Sequence, residues 1–440
     1  MAIDFRIRDF CFPIAIWRLK RFLDRSQWQD PGILKEYQEA RLQALIEHAY
    51  RNVPYYHRLF NSLRLKPSDI RKLEDLEKLP ILTKDQVRTY SKELLAANAW
   101  RFFPRAYRTS GSTGTPLVIY NDRTSNILEF ATYWWHWGWA GYRLGDRFVM
   151  IRQSLFQRRP GLRGQFWHWD RRLRCLYLSS LQFNPKTVEL YVERIRKFKP
   201  KFLKARPPML TLFAAALKEQ GIHDLHFRAI FTGGGNLLEK DIKLFTEVFG
   251  CKVYDSYGLM ERVANFRQCE NGTYHVNQAC GIVEVLNEKG VPVAAGQKGR
   301  IIATGLHNWV MPSIRYDTKD LCSPEVSGNC SCGRTLPQVH SIYGFAEDPV
   351  ITQDGRYLTG LGTVFNKAWG IKMGQIVQTK KDRIEVRAVR DTTYREEDGQ
   401  AVLEELHARI GEGIDLKLVF VDHIEPTEEG KFKWVRSEIL

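Results

Sequence analysis

The sequence predicts an α/β protein of two domains: a large one of mostly parallel sheet with a β-rich part, and a small α+β domain at the C-terminal end. Three observations predict it. Over residues 117–255, short apolar runs alternate with segments of helical periodicity, the pattern of a helix-covered parallel sheet. Residues 281–321 turn β-rich, with Gly-rich turns between short strands. At 440 residues the chain exceeds one ordinary core, and a break near Tyr343–Pro349 divides it into domains of 1–343 and 344–440.

The elements follow in order. Leu34, Tyr37, Leu42, Leu45, Ile46 and Ala49 sit at helical spacing within 33–53 and stop before Pro54. A strand over 117–120 leads into a helix over 122–139. Its Trp134, Trp135, Trp137 and Trp139, with His136, read first as core and second as the wall of an acyl or aryl pocket. Strands at 148–151, 176–178, 202–203, 229–232 and 252–255 alternate with helices at 185–198, 208–220 and 239–249. The β-rich part takes strands at 282–286, 299–304 and 313–316. In the small domain, strands 376–379 and 383–389 flank a turn, and a helix near 398–410 and a strand over 415–421 follow.

Composition narrows the function classes. A 44% hydrophobic content is that of a soluble globular protein. No apolar run approaches the roughly 18–20 residues that cross a bilayer. The apolar patch Phe10–Trp17 follows Asp4 and lacks a small-residue cleavage site, which argues against a signal peptide and for a cytoplasmic enzyme. The net charge is +16, and Arg147–Arg174 holds eight arginines against Asp170, interleaved with Phe156, Phe166, Trp167 and Trp169. A solvated basic face that steers an anionic substrate is the first reading. Peripheral membrane contact, with Phe10–Arg25 as an interfacial helix, comes second, and nucleic acid last.

The cysteines cluster in the second half, which points to metal rather than disulfides. Cys330 and Cys332 form one close pair, and Cys269 with His275 a second, a set suited to a closed tetrahedral Zn²⁺ site of structural role. Cys322 or Cys280 are alternative members, and reduced, buried thiols are the bland reading.

The segment Arg108–Pro116 reads R-T-S-G-S-T-G-T-P. Thr109, Ser110, Ser112, Thr113 and Thr115 alternate with Gly111 and Gly114, so hydroxyls and close-approaching backbone N–H groups can surround a nucleotide polyphosphate. No Gly-Lys-Ser/Thr follows, so it is not a Walker A loop. Three later segments follow it: Tyr254–Glu261 (Y-D-S-Y-G-L-M-E), Ile314–Leu321 (I-R-Y-D-T-K-D-L) and Gly430–Lys433 (G-K-F-K). In this order the set resembles the adenylate-forming superfamily, in particular its phenylacetate–CoA ligase branch with the capsule and exopolysaccharide relatives. His48–Phe60, Leu79–Asp85 and Leu306–Tyr316 are weaker matches to the same family.

The resemblance implies the adenylate-forming fold, with the small domain as a mobile lid. It also implies an ATP- and Mg²⁺-dependent ligase that makes an acyl- or aryl-adenylate and passes the acyl group to coenzyme A or to an amine. By the same resemblance, Glu261 holds Mg²⁺, Tyr257 stacks on adenine beside Asp255, Ser256 and Gly258, and Gly233, Gly234 and Gly235 pass beneath that ring. Asp320 takes the ribose hydroxyls, and Lys431 is the lid's catalytic cation, with Lys433 as runner-up. One departure stands out: the hinge reads Gly344-Phe345 where the family has glycine-arginine. Arg334 and Arg356 are the nearby substitutes, and a catalytically degenerate scaffold or binding protein is the competing reading.

Overall fold

The computed structural model describes residues 13–109, 117–153, 155–156, 159–183, 186–235, 237–325, 330–343, 348, 350–358, 361–368, 370–390, 392–425 and 433–439. Two compact units emerge. The first is built from the described parts of Met1–Tyr107, Leu117–Tyr142 and Tyr254–Gly344; the second from those of Arg108–Pro116, Arg143–Val253 and Phe345–Leu440.

The first unit centres on a seven-stranded sheet. Its spatial order is Gly281–Leu286, Gly299–Gly305, Tyr316–Pro324, Gln338–Tyr343, Tyr274–Val276, Asn265–Gln268 and Ser256–Gly258. Neighbouring strands within it run antiparallel. The helix Pro31–Asn52 begins where Asp30 accepts the Gly32 N–H and Pro31 supplies a ready-made φ, and it buries Leu34, Leu42, Leu45, Ile46 and Ala49. The helix Arg123–Trp139 is capped by Asp122, whose carboxylate takes the Ser125 N–H at 2.6 Å. Trp135 and Trp137 are buried, and Trp135 packs in a core cluster with Ile16, Leu23 and Leu34. The expected strand at 313–316 instead starts at Tyr316. Arg315 holds a φ of 50°, and its guanidinium turns to Glu284 at 2.8 Å and to the Leu79 carbonyl at 2.6 Å. Those anchors bend the chain just before the ladder begins.

In the second unit a six-stranded sheet runs Trp167–Asp170, Cys175–Leu178, Phe148–Ile151, Phe202–Lys204, Ala229–Phe231, Lys252–Tyr254. Phe148–Ile151 pairs in parallel with a neighbour on each side, so the chain reverses its direction of travel across the sheet there. Val149, Leu176, Leu203 and Ile230 point to one face and pack on the helices Val188–Phe198, Pro207–Glu219 and Glu239–Phe249. The C-terminal part has its own four-stranded sheet under the helix Glu396–Ile410, with Ile376, Ile384, Val386, Val402 and Leu406 as core.

Candidate active site and metal centre

The residues of the Tyr254–Glu261 motif gather at one edge of the seven-stranded sheet. Tyr257, on the strand Ser256–Gly258, donates its hydroxyl to Asp320 Oδ2 at 2.7 Å. Four residues on, Glu261 accepts the Tyr316 hydroxyl at 2.7 Å on Oε1. Three strands lie between Ser256–Gly258 and Tyr316–Pro324 in the sheet order, so the sheet curls to bring the two motifs together. Glu261 and Asp320 are both buried. Burial raises the Asp320 carboxyl to about 6; Lys84 opposes the rise, as does the Tyr257 hydroxyl, and Glu261 and Asp317 add to it.

The Leu79–Asp85 segment now has a role. Leu82 bridges Tyr316 in parallel, with its N–H on the Arg315 carbonyl at 2.9 Å, and this brings Lys84 into electrostatic range of Asp320. Asp317 is already matched by Arg300 and Lys319, each at 3.0 Å. Glu261 and Asp320 each accept a hydrogen bond from a neutral phenol, which leaves the pair the negative character that a cation or sugar hydroxyls would satisfy.

The turn bearing Glu261 is held tightly. Asn121 donates to the Met260 carbonyl at 2.9 Å, and Arg262 takes a φ of 61°. Gly281 and Gly305, on adjacent strands, lie directly against it. A Cβ at Gly281 would stand 2.2 Å from the Val263 carbonyl oxygen, and one at Gly305 would stand 3.0 Å from that of Arg262. Tyr316, Asn121, Lys84, Gly281 and Gly305 carry no role in the sequence reading. For Tyr316, its place in the Ile314–Leu321 motif was the available signal.

Other expected site residues fall as follows. Asp255 is tied up internally, accepting the Tyr274 hydroxyl at 2.8 Å, and Ser256 is buried beside it. Gly258 faces the Glu129 carboxylate on the tryptophan-rich helix. The Tyr257 ring packs on Phe266 at 5.0 Å. Gly233, Gly234 and Gly235 belong to the second unit, after the strand Ala229–Phe231; Gly234 has a φ of 75° and its carbonyl accepts from Arg206 at 2.8 Å. Thr109 ends a strand, its side chain lying outside the described residues together with Ser110, Gly111, Ser112, Thr113, Gly114 and Thr115. Lys431 and Gly344-Phe345 also lie outside them. Lys433, the runner-up cation, pairs with Asp348 at 2.9 Å. Neither arginine proposed for the hinge is at liberty. Arg334 holds Glu270 at 2.8 Å and stacks on Trp139, and Arg356 holds Asp354 at 2.7 Å and the Ile410 carbonyl at 3.1 Å.

Cys269, His275, Cys330 and Cys332 come together, with their ligand atoms all within 4.8 Å of one another. Cys269 Sγ lies 3.8 Å from Cys330 Sγ, and Cys332 Sγ lies 3.3 Å from His275 Nε2. A tetrahedron with Zn–S bonds of about 2.3 Å has S···S edges of about 3.8 Å, so the thiol spacing fits zinc. His275 turns Nδ1 to the Leu336 carbonyl at 3.2 Å, which leaves Nε2 facing the thiols. Burial lowers the His275 pKa, favouring the neutral imidazole a metal requires, and raises the Cys269 thiol to about 12. Burial also works against ionising Cys330, yet hydrogen bonds from Cys332 outweigh it and its pKa falls. Cys280 and Cys322 sit in apolar clusters, apart from this group.

A curled antiparallel sheet bearing paired buried acids, a helix-covered parallel sheet and a small α+β end are the parts the adenylate-forming class leads one to expect. The AMP-binding enzyme family matches residues 107–313, and the CapK C-terminal domain matches residues 350–438. The chain belongs to the adenylate-forming superfamily, in its phenylacetate–CoA ligase-like branch with CapK relatives, and is an AMP-forming ligase. It is 27% identical over 329 residues to the phenylacetate-coenzyme A ligase of Thermus thermophilus, covering 72% of each chain. To the Pseudomonas putida phenylacetate-coenzyme A ligase it is 26% identical over 347 residues, covering 76% of this chain and 75% of that one. Its fold is similar to the crystal structure of 2-hydroxyisobutyryl-CoA ligase with 2-HIB-AMP and CoA in the thioesterification state. There the TM-score is 0.62 at 22% identity, over 94% of this chain and 92% of that one.

Proposed function

We propose that this chain activates a carboxylic acid with ATP and transfers the acyl group to the thiol of coenzyme A. The observation that carries the reading is the crossed pair Tyr257–Asp320 and Tyr316–Glu261, partners 63 and 55 residues apart in sequence, which unites two motifs in one buried site. A carboxylate oxygen of the acid attacks the α-phosphorus of ATP, and the bond to pyrophosphate breaks. The thiol sulfur then attacks the acyl carbon, and AMP departs.

Both steps spread negative charge over phosphate oxygens, so positioning and fixed positive charge supply most of the catalysis. Asp320, buried and ionised above about pH 6, accepts hydrogen bonds from the ribose hydroxyls. Glu261 would hold Mg²⁺, with Tyr316 fixing its rotamer from behind; the ion supplies charge neutralisation on the phosphates. By the family resemblance, the hydroxyl-rich segment 109–115 would take the leaving phosphates, Gly233–Gly235 would meet the adenine, and Lys431 would offset charge on the departing pyrophosphate. The Cys269–His275–Cys330–Cys332 group holds a structural Zn²⁺ that clips the hairpin 265–276 to the loop at 330–332.

The test is product analysis with ATP, Mg²⁺ and a panel of aryl, fatty and hydroxy acids, offering coenzyme A in one arm and amino sugars or amino acids in the other. A thioester whose formation tracks AMP release supports the reading. An amide formed without coenzyme A would move the acceptor to an amine while leaving the adenylation step in place.

A further inference from the structure

The helix Pro13–Ser26 has two faces of opposite character. Its inner face buries Ile16 and Leu23 against Leu34, Ile127, Ala131 and Trp135, which anchors it to the first unit. Its outer face carries Ile14, Trp17, Arg18, Arg21 and Arg25, all exposed. These positions fall at i, i+3, i+4, i+7 and i+11, a single stripe along one side of a helix. Trp28 extends the stripe just past the helix end. Ile14 is 73% exposed, Trp17 56% and Trp28 52%, so none of the three contributes to the core that fixes the helix.

The polar groups of the stripe are all cationic. The Arg21 guanidinium sits 4.7 Å over the Trp17 ring, and that of Arg334 lies 5.3 Å over Trp28. The helix's one acid, Asp24, is matched by Lys20 at 2.7 Å on the flank.

We infer that this face docks the protein on an anionic lipid surface. Indole rings settle at the headgroup level, a branched aliphatic side chain enters the acyl boundary, and arginines meet the lipid phosphates, which is the composition of the stripe. Charge complementarity selects this occupant over the others. A second copy of the chain would set three arginines against three arginines, on molecules each carrying a net charge of +16. A nucleic acid would satisfy the arginines but leave Ile14, 73% exposed, without a partner. No described helix is long and apolar enough to cross a membrane, so the contact is peripheral. Three basic residues and two indoles give reversible attachment, each arginine contributing roughly fivefold in partition at low salt. None of the stripe's residues has a role in the proposed reaction, so this inference stands or falls apart from it.

The experiment is co-sedimentation of the full chain with vesicles of phosphatidylcholine containing about 30 mol% phosphatidylglycerol. Binding is expected at about 0.1 M salt, with loss near 0.5 M salt and on vesicles of phosphatidylcholine alone. The variant Arg18→Glu/Arg21→Glu/Arg25→Glu should bind at least a hundred-fold more weakly, from the product of about fivefold per site. Its melting temperature and adenylation in solution should be unchanged. Ile14→Ala/Trp17→Ala should weaken binding while keeping the same salt dependence. Failure of the wild type to sediment overturns the inference. So does a triple variant that sediments like the wild type, which would move binding to another basic surface such as Arg147–Arg174. Binding of single-stranded RNA that depends on the same arginines, without vesicle binding, would identify a nucleic-acid face instead.

Discussion

Gly281→Ala addresses the positioning of Glu261 without touching any residue assigned to the chemistry. The new methyl would lie 2.2 Å from the Val263 carbonyl oxygen, 2.9 Å from that of Thr304 and 3.2 Å from the Val263 carbonyl carbon. All three are backbone atoms, of Val263 and Thr304, so no side chain can rotate away. Reaching an ordinary contact of about 3.4 Å requires the turn to move by roughly 1 Å, and overpacking of this kind costs about 1–3 kcal/mol. The turn carries Glu261, whose carboxylate is fixed to Tyr316 at 2.7 Å. A displacement of about 1 Å in a positioning element lowers turnover by roughly a hundred-fold. The assay is pyrophosphate release at saturating ATP and acid, alongside thermal unfolding. Gly290→Ala serves as the control: its φ of 78° makes the substitution strained, but nothing lies within 4 Å of the added Cβ and the turn is remote in sequence from Glu261. Equal losses of stability with turnover lost only in Gly281→Ala are expected. A folded Gly281→Ala protein with wild-type turnover refutes the reasoning.

Two further predictions concern buried ionisable groups. Burial raises Asp320 from 3.8 to about 6, so the folded state binds a proton that the unfolded chain has released, and stability falls as pH rises through that window. Asp320→Asn should therefore melt higher than wild type at pH 8, by the equivalent of about 2–3 kcal/mol, with no advantage near pH 4, while its nucleotide affinity drops. Lower stability of the variant at pH 8 would contradict the burial argument. For the metal centre, elemental analysis should find one zinc per chain, lost together with several degrees of melting temperature in Cys330→Ser and retained in Cys280→Ser. A zinc-free protein that melts like its chelator-treated form would remove zinc from the account.

Much of the fold was legible because local periodicity carries it. The alternation over 117–255 and the helical spacing of Leu34 to Ala49, ending before Pro54, sit within short windows of sequence. Motif order carried Glu261 and Asp320 as well. What stayed hidden depends on distant pairing. That Tyr257 reaches Asp320, and Tyr316 reaches Glu261, follows from the curl of a seven-stranded sheet, which no local pattern encodes. Gly281 and Gly305 look like any strand glycines until the turn they support is placed against them. Arg315 shows the reverse case: a residue inside an expected strand bends the chain because Glu284 and the Leu79 carbonyl, both remote in sequence, hold its guanidinium. The aromatics of the basic stretch enter only the secondary membrane and nucleic-acid readings, and they are packed inward: Trp169 on Phe198 at 4.8 Å and Phe166 on Tyr191 at 5.8 Å.

The most direct test of the central claim is acid-dependent exchange of labelled pyrophosphate into ATP, in the presence of Mg²⁺, by the wild type and by Glu261→Gln and Lys431→Ala. The account predicts exchange with one class of acid, dependent on Mg²⁺ and reduced by at least a hundred-fold in either variant, as expected when fixed charge supplies several kcal/mol of transition-state stabilisation. Exchange that persists undiminished in Glu261→Gln would contradict the assignment of the buried Tyr316–Glu261 pair to the reaction.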